Sequence, residues 1–384
     1  MMKTNGKHKI LVFYIHGGGG HISVARSIEH ILTETYDWDV ILVDMNSLLV
    51  EFDFLKKYTG YLATDVYNLS IKTGRALTCF YTLYFNMVKA TTNAIHSKAT
   101  SKVADFIKTV NPDIVVSVTP YINRILHESI TLSKSHAELM TILTDFTIIK
   151  SPANYWIEHQ DQFLICPTGS SYRRAICSKG VQPSKIFKVS GIIIHPSFYT
   201  VKIGDKKEER RKLGLSPDLP TCILQFGAYG NRNMIDIAKE IDRSKLPIQM
   251  IVICGRNQEL YNRFRHTQFN MPVYIEGYTN NITYYMALAD FYIGKSGAIS
   301  ISEAMNMKLP CLMEMNRTTI PIEIGNTRWV LRNRFGLTFS GAGQIVTRVR
   351  QLLDQIDLYR TKLADYRNRA IFETAEIMNH ILNP

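Results

Sequence analysis

The sequence predicts an α/β protein of two doubly wound, Rossmann-like domains facing across a cleft. Three observations carry this expectation. Short apolar runs bounded by Gly, Pro or Asn alternate with helical patterns, as buried parallel strands do. That alternation is played through twice. Between the two series lies a charged connector, residues 202–212, which contains Lys206-Lys207-Glu208-Glu209-Arg210-Arg211-Lys212. At 384 residues the chain exceeds one ordinary core. The expected domains are 1–198 and 199–384, the second ending in a closing helix at 361–382.

The first series opens with an apolar run at 10–15, then His16-Gly17-Gly18-Gly19-Gly20-His21, then a helical pattern over 23–32. Strand, glycine turn and helix make the first unit of a doubly wound fold. Strands follow at 39–44, 114–118, 139–143, 163–166 and 186–189, with a helix at 171–178. Asp37-Trp38-Asp39 has the Asp-x-Asp spacing of some metal sites. It stands in front of a strand, where polar turn residues belong, so a turn is the preferred reading.

Residues 56–108 read as helical, with an unusual composition. Lys56, Lys57, Lys72, Arg75, Lys89, Lys98, Lys102 and Lys108 face only Asp65 and Asp105 as acids, interleaved with Tyr58, Tyr61, Tyr67, Phe80, Tyr81, Tyr84, Phe85 and Met87. Two readings stand side by side. Exposed aromatics among lysines would rest on anionic lipid headgroups; aromatics turned inward would be core, with the lysines merely solvated.

The second series has strands at 222–226, 249–254, 273–276, 291–294 and 311–314, and helices from 233 to about 241, at 258–265 and at 281–287. Its most informative stretch is the strand 291–294, the turn Lys295-Ser296-Gly297 and a helix opening near Ala298. A strand feeding a helix N-terminus through small residues leaves backbone N–H groups beside a positive dipole end, a seat for phosphate. Ser300 adds a hydroxyl and Lys295 a charge, and Glu303 can take two neighbouring ribose hydroxyls. Phosphate plus ribose suggests a nucleotide; a plain strand-to-helix connection is the alternative.

Composition narrows the partners. With 46% hydrophobic and 20% charged residues the chain is globular rather than disordered. A net charge of +12 and a pI near 9.3 draw it to anionic partners. The excess is spread over both halves, with no basic tail, which favours phosphorylated ligands and acidic membrane over nucleic acid. Six scattered cysteines suit free thiols in a reducing cytosol, without zinc or disulfides. The apolar run at 10–15 is too short for a signal peptide core. No apolar run approaches the roughly 20 residues of a spanning helix. The expectation is a cytoplasmic protein, peripherally associated with the cytosolic face of a membrane.

A chain of short motifs then meets a family. Cys254-Gly255-Arg256-Asn257, Glu276-Gly277-Tyr278-Thr279-Asn280-Asn281, Met286, Asp290, Lys295-Ser296-Gly297, Glu303-Ala304, Leu309-Pro310 and Glu323-Ile324-Gly325-Asn326 occur in order. Gly18-Gly19-Gly20-His21, Thr144-Asp145-Phe146, Trp156 and Gly191-Ile192 with Pro196 and Phe198 extend the likeness into the amino half. On these residues the chain resembles the GT-B glycosyltransferases of family 28. Within them it is most similar to monogalactosyldiacylglycerol synthases and processive diacylglycerol glucosyltransferases.

The resemblance implies a lipid acceptor such as diacylglycerol on 1–198 and a UDP-sugar donor, UDP-glucose or UDP-galactose, on 199–384. The UDP-sugar is a co-substrate, and no cofactor or metal is expected. Tyr278 and Asn281 would border the uracil and Glu303 the ribose. Ser300, Lys295 and nearby amides would meet the diphosphate, and Glu323 and Asn326 the sugar hydroxyls. Gly227, Arg256, Asn257, Ser296 and Gly297 complete the expected donor set, and Gly18, Gly19, Gly20 and Trp156 the acceptor set. The chemistry implied is inverting, with His21 as base. His16 stands where the lipid synthases carry an acid. Asp145 either orients His21 or caps a turn. Ile299 replaces a phosphate-facing glycine and Ile322 a sugar-facing glutamine. These departures keep open another acceptor, UDP-N-acetylglucosamine as donor, or a catalytically silent nucleotide- or membrane-binding relative.

Overall fold

The computed structural model describes residues 7–74, 76–148, 156–157, 160–178 and 181–384. Arg75, one of the basic residues noted above, lies outside them. Two compact units are formed. One takes the chain up to Val66, Thr82–Pro196 and Asn368–Pro384; the other takes Tyr67–Tyr81 and Ser197–Arg367. The expected border at 198 falls beside Pro196, but the chain also changes unit around residues 67–81 and again at 368.

The first unit holds six parallel strands: β1 (Lys9–Tyr14), β2 (Asp39–Asp44), β3 (Ile114–Ser117), β4 (Glu138–Ile142), β5 (Phe163–Cys166) and β6 (Ile186–Lys188). Their order is β2-β1-β3-β4-β5-β6. Leu11, Phe13, Val115 and Leu139 form its core with Ala99, Val103 and Ile107. The last three recur every fourth residue on the long helix Thr78–Val110, so that part of the basic stretch is core. The rest divides. Tyr84 is buried and its hydroxyl donates to Ala63 O at 2.9 Å. Phe54, Tyr58, Tyr61 and Leu83, by contrast, are each more than 60% exposed.

The second unit holds β7 (Thr221–Gln225), β8 (Gln249–Ile253), β9 (Val273–Glu276), β10 (Phe291–Lys295), β11 (Cys311–Glu314) and β12 (Gly336–Phe339), all parallel, in the order β12-β11-β10-β7-β8-β9. The edge strand β12 escapes the sequence reading because only its ends are buried. Gly336 is obligatory there: a Cβ would lie 1.8 Å from Cys311 O.

Two further expectations are corrected. The charged connector contains a helix, Lys206–Lys212, whose N-terminus is capped by Asp205 accepting from Lys207 N and Glu208 N. Its Arg210 is buried and bonds Leu288 O and Asp290. Burial would raise the Asp290 carboxyl, yet Lys206, the Thr221 N–H and Arg210 together hold it below the ordinary carboxylate value. The expected closing helix is two helices, Ile356–Ala364 and Ala370–Leu382. Asn368 makes the break: it accepts from Ala370 N at 3.0 Å and donates to Ile192 O at 2.8 Å. Glu373 then accepts from Ser190 N at 2.7 Å, which ties the last helix into the first unit.

All six cysteines are free thiols. Asp37 ends the first long helix in a left-handed turn (φ 56°) and pairs with Lys7, as its turn reading required. Among the described residues no helix is long and apolar enough to cross a membrane.

Candidate functional site

In the second sheet the strand order reverses between β7 and β10, and ligands gather at the strand ends of such switch points. Gly227 follows β7 with φ +74° and faces the Lys295 side chain; a Cβ there would stand 3.2 Å from Lys295 Cε. Gly294 lets the two strands approach, since its Cβ would meet Gln225 O at 2.2 Å. Lys295 Nζ then donates to Glu323 Oε1 at 2.6 Å, and both side chains keep partial exposure. Glu323 stands in the first turn of Pro321–Arg332, a helix opened by a proline that needs no N–H there.

Beyond Lys295 the chain passes Ser296 and Gly297 and enters the helix Ala298–Asn306, as expected. The first bond of that helix, Ile301 N to Gly297 O at 3.1 Å, leaves the preceding N–H groups at its positive end. Ile299 and Ser300 are both half-buried. The Ser300 hydroxyl meets the Tyr292 phenol. Glu303, one turn on, is buried, and burial pushes its carboxyl up to about 8. Glu314, at the end of β11, is likewise pushed up to about 7, with Asn233 donating to it at 3.3 Å.

Three residues of the expected donor set have side chains bonded within the framework. Ser296 is fully buried; its hydroxyl accepts from Thr327 Oγ1 at 2.6 Å and donates to Glu314 O at 3.3 Å. Asn326 is also fully buried and donates to Ser296 O at 3.4 Å. Asn257 caps the helix Gln258–Arg265 by accepting from Leu260 N at 3.1 Å. Their side chains hold the turn and the loop after β8 in shape, which is why polar residues tolerate burial there.

On the surface after β8 and β9, the Arg256 guanidinium lies 4.6 Å from the centre of the Tyr278 ring and its Nη2 meets the phenol oxygen at 3.3 Å. Asn281, further along that loop, is exposed. Gly255 makes the turn possible: φ is +61°, and a Cβ would meet Ala228 O at 2.3 Å.

In the first unit, β1 leads into His16 and the glycines. Gly18 and Gly19 are left-handed, at φ 71° and 89°, and Gly19 caps the helix Gly20–Tyr36. His21 thus sits in the first helical turn. Burial lowers its imidazole to about 4, so it is uncharged at neutral pH. Its Nδ1 is buried without a hydrogen-bond partner, so Asp145 does not orient the ring through that nitrogen. His16 stacks edge-on with Tyr14 at 5.3 Å. The Trp156 side chain is 3% exposed and packs with Leu143 and Leu164, a core position rather than an open acceptor wall.

The sequence reading missed Thr78, Asn231 and Asn233, whose partners come from distant segments. Among the described residues no group of three or more His, Cys, Asp or Glu side chains is arranged to hold a metal ion.

Comparison with known proteins meets the same regions. A family model of monogalactosyldiacylglycerol synthase matches residues 21–194, and one of the glycosyltransferase family 28 C-terminal domain matches 228–319. The chain is 27% identical over 355 residues to a probable monogalactosyldiacylglycerol synthase 2 of Oryza sativa subsp. japonica, covering 87% of this chain and 71% of that one. It is 27% identical to the monogalactosyldiacylglycerol synthase of Spinacia oleracea over 361 residues, 89% of this chain and 66% of that one. Among solved structures, Acinetobacter baumannii MurG superposes with a TM-score of 0.57 at 10% identity, over 98% of this chain and all of that one. The S. aureus MnaA–UDP structure superposes with 0.61 at 13% identity, over 98% and 97%. These structural likenesses establish the fold.

Proposed function

The chain is a family 28 glycosyltransferase of the GT-B fold, and from that premise we propose that it is an inverting, metal-independent enzyme moving a hexose from a UDP-sugar to diacylglycerol or a related lipid at a membrane surface. The observation that carries the donor half is the Lys295–Glu323 pair, set beside the open end of the helix Ala298–Asn306 at the switch point of the second sheet. A diphosphate seated there meets a cation and unpaired N–H groups together, the arrangement that stabilises a departing nucleoside diphosphate. Glu323 faces the sugar and Glu303 the ribose. The exposed Arg256–Tyr278 pair offers a face for uracil.

The acceptor hydroxyl oxygen forms a bond to the anomeric carbon as the bond from that carbon to the diphosphate oxygen breaks, inverting the centre. The electron pair leaves with UDP. The hydroxyl proton passes to His21, whose ring is neutral at pH 7 and has an unpartnered buried nitrogen. Gly18 and Gly19 keep the approach to that ring free of side chains. Exposed Phe54, Tyr58, Tyr61 and Leu83, with Lys56 and Lys57 beside them, support contact with anionic lipid.

The test is UDP release with and without diacylglycerol in anionic vesicles, over UDP-glucose, UDP-galactose and UDP-N-acetylglucosamine, with products identified by mass. Lipid-dependent release and a hexosyl-lipid product support the reading. Release with lipid-free acceptors reassigns the acceptor, and donor binding without turnover identifies a silent relative.

A further inference from the structure

Residues on either side of position 75 lie early in the sequence, yet they pack within the donor-side unit. Two contacts fix them there. Asn231 Nδ2 donates to Ile71 O at 3.1 Å, and a Cβ on Gly74 would stand 2.6 Å from that same amide. The second contact is at Thr78. Its N–H donates to Arg317 O at 2.7 Å, and its hydroxyl lies 2.8 Å from both Arg317 O and Thr319 O. With one hydroxyl proton, it serves these two carbonyls alternately.

The places held are not arbitrary. Asn231 is in the loop that leaves β7 at Gly227, the glycine that faces Lys295. Arg317–Thr319 is the loop that leaves β11 and turns, at Ile320, into the helix bearing Glu323. One short stretch is therefore bonded to the loops on both sides of the Lys295–Glu323 pair. Tyr81, one turn beyond Thr78, is 3% exposed and meets Ser70 Oγ at 3.3 Å. The phenol feels the charges of both Lys295 and Glu323.

We propose that Thr78 is a positioning residue for the sugar nucleotide: by holding the carbonyls of Arg317 and Thr319 it sets the helix that carries Glu323 before the donor arrives. The inference rests on the donor reading above. A loop already fixed in its bound conformation loses less freedom when the ligand binds, so the effect falls on donor affinity.

The experiment uses the full chain and Thr78→Val, which keeps the volume and the backbone N–H but removes the hydroxyl, with Thr78→Ser as the restoring variant. Affinity for UDP-glucose, for UDP-galactose and for UDP alone is measured by calorimetry, KM separately for donor and acceptor, and amide exchange over 317–323 without ligand. Losing one hydroxyl hydrogen bond predicts a UDP-sugar dissociation constant and a donor KM raised about threefold to tenfold, with UDP affinity close to the parent's because UDP lacks the sugar that Glu323 faces. Acceptor KM should be unchanged, exchange over 317–323 faster, and all of these restored in Thr78→Ser. Thr78→Val binding the UDP-sugar like the parent, or raising both KM values equally, overturns the inference while leaving the donor reading intact. A parent chain that does not bind UDP at all overturns both.

Discussion

Lys295 Nζ and Glu323 Oε1 stand 2.6 Å apart at the mouth of the helix Ala298–Asn306, with Gly297 tucked against both. Glu323 is buried and Lys295 largely so, and the cost of taking both charges out of water offsets much of their attraction, so the pair adds little net stability. Its consequence is for binding. On the donor reading proposed above, an incoming diphosphate would compete with Glu323 for the lysine, and a sugar with the lysine for Glu323, so that each half of a sugar nucleotide would free the partner that the other half needs.

Separating the two charges tests this competition. Glu323→Gln frees Lys295 from a full negative charge, so inorganic pyrophosphate should bind several-fold tighter while turnover of the UDP-sugar falls. Lys295→Ala should weaken pyrophosphate and UDP alike, by roughly tenfold to a hundredfold for one charge-assisted bond. Calorimetry with pyrophosphate and UDP reads both. Unchanged pyrophosphate affinity in Glu323→Gln removes the competition.

His21→Ala should cost about a hundredfold to ten-thousandfold in transfer, the range of a general base, with UDP affinity unchanged. The pH profile carries a second signature. Because burial lowers the imidazole to about 4, the ring stays neutral over the acid range, and kcat/KM should fall only as pH drops through about 4. An unperturbed histidine would give that limb near 6.5. The same depression acts on stability: between 6.5 and 4 the unfolded chain binds a proton that the folded one refuses, so stability declines as pH falls through that window. An acid limb near 6.5 would reassign the base.

How far the sequence reveals this molecule depends on how local each determinant is. β2, β5, β9 and β11 fall on the expected residues because each is an apolar run closed by polar or glycine residues. The helix Lys206–Lys212 is hidden because its sequence is almost wholly charged. What settles it is Asp205 at its start and the burial of Arg210 against Asp290, a residue far along the chain. The turn Lys295-Ser296-Gly297 is legible as a strand-to-helix junction because strand, turn and helix are consecutive. For Ser296 and Asn326 the sequence leaves out the framework bonds, because a polar side chain in a motif fits a ligand contact and a buried framework bond equally well, and both residues are fully buried. Thr78 could not be read at all, since its partners are Arg317 and Thr319.

Glu303 gives a prediction of opposite sign to His21. Its carboxyl is raised to about 8 by burial, so between the ordinary carboxylate value and 8 the folded chain keeps a proton that the unfolded chain has lost. Stability should therefore fall as pH rises through that window, by on the order of 5 kcal/mol in all. Glu303→Gln cannot titrate and should escape this loss, so its melting temperature should gain on the parent between pH 5 and pH 9. Thermal melts across that range decide it. A constant difference between the two proteins would mean that the carboxyl is ionised in the fold at neutral pH.

The Arg256–Tyr278 pair predicts where the base is recognised. The guanidinium carbon stands 4.6 Å from the ring centre, close enough to brace an exposed side chain. Base stacking on an aromatic side chain is worth about 1–3 kcal/mol by alanine substitution. Tyr278→Ala should thus weaken UDP binding roughly fivefold to a hundredfold and leave pyrophosphate affinity alone, because the phosphate contacts come from β10 and the helix after it. Tyr278→Phe keeps the ring and loses the 3.3 Å contact to Arg256 Nη2, so it should stay close to the parent. Arg256→Ala should fall between the two, since the ring remains but loses its brace. Titrating each variant with UDP and with pyrophosphate separates uridine recognition from charge. Equal losses for both ligands in Tyr278→Ala would mean that the ring supports the loop and does not receive the base.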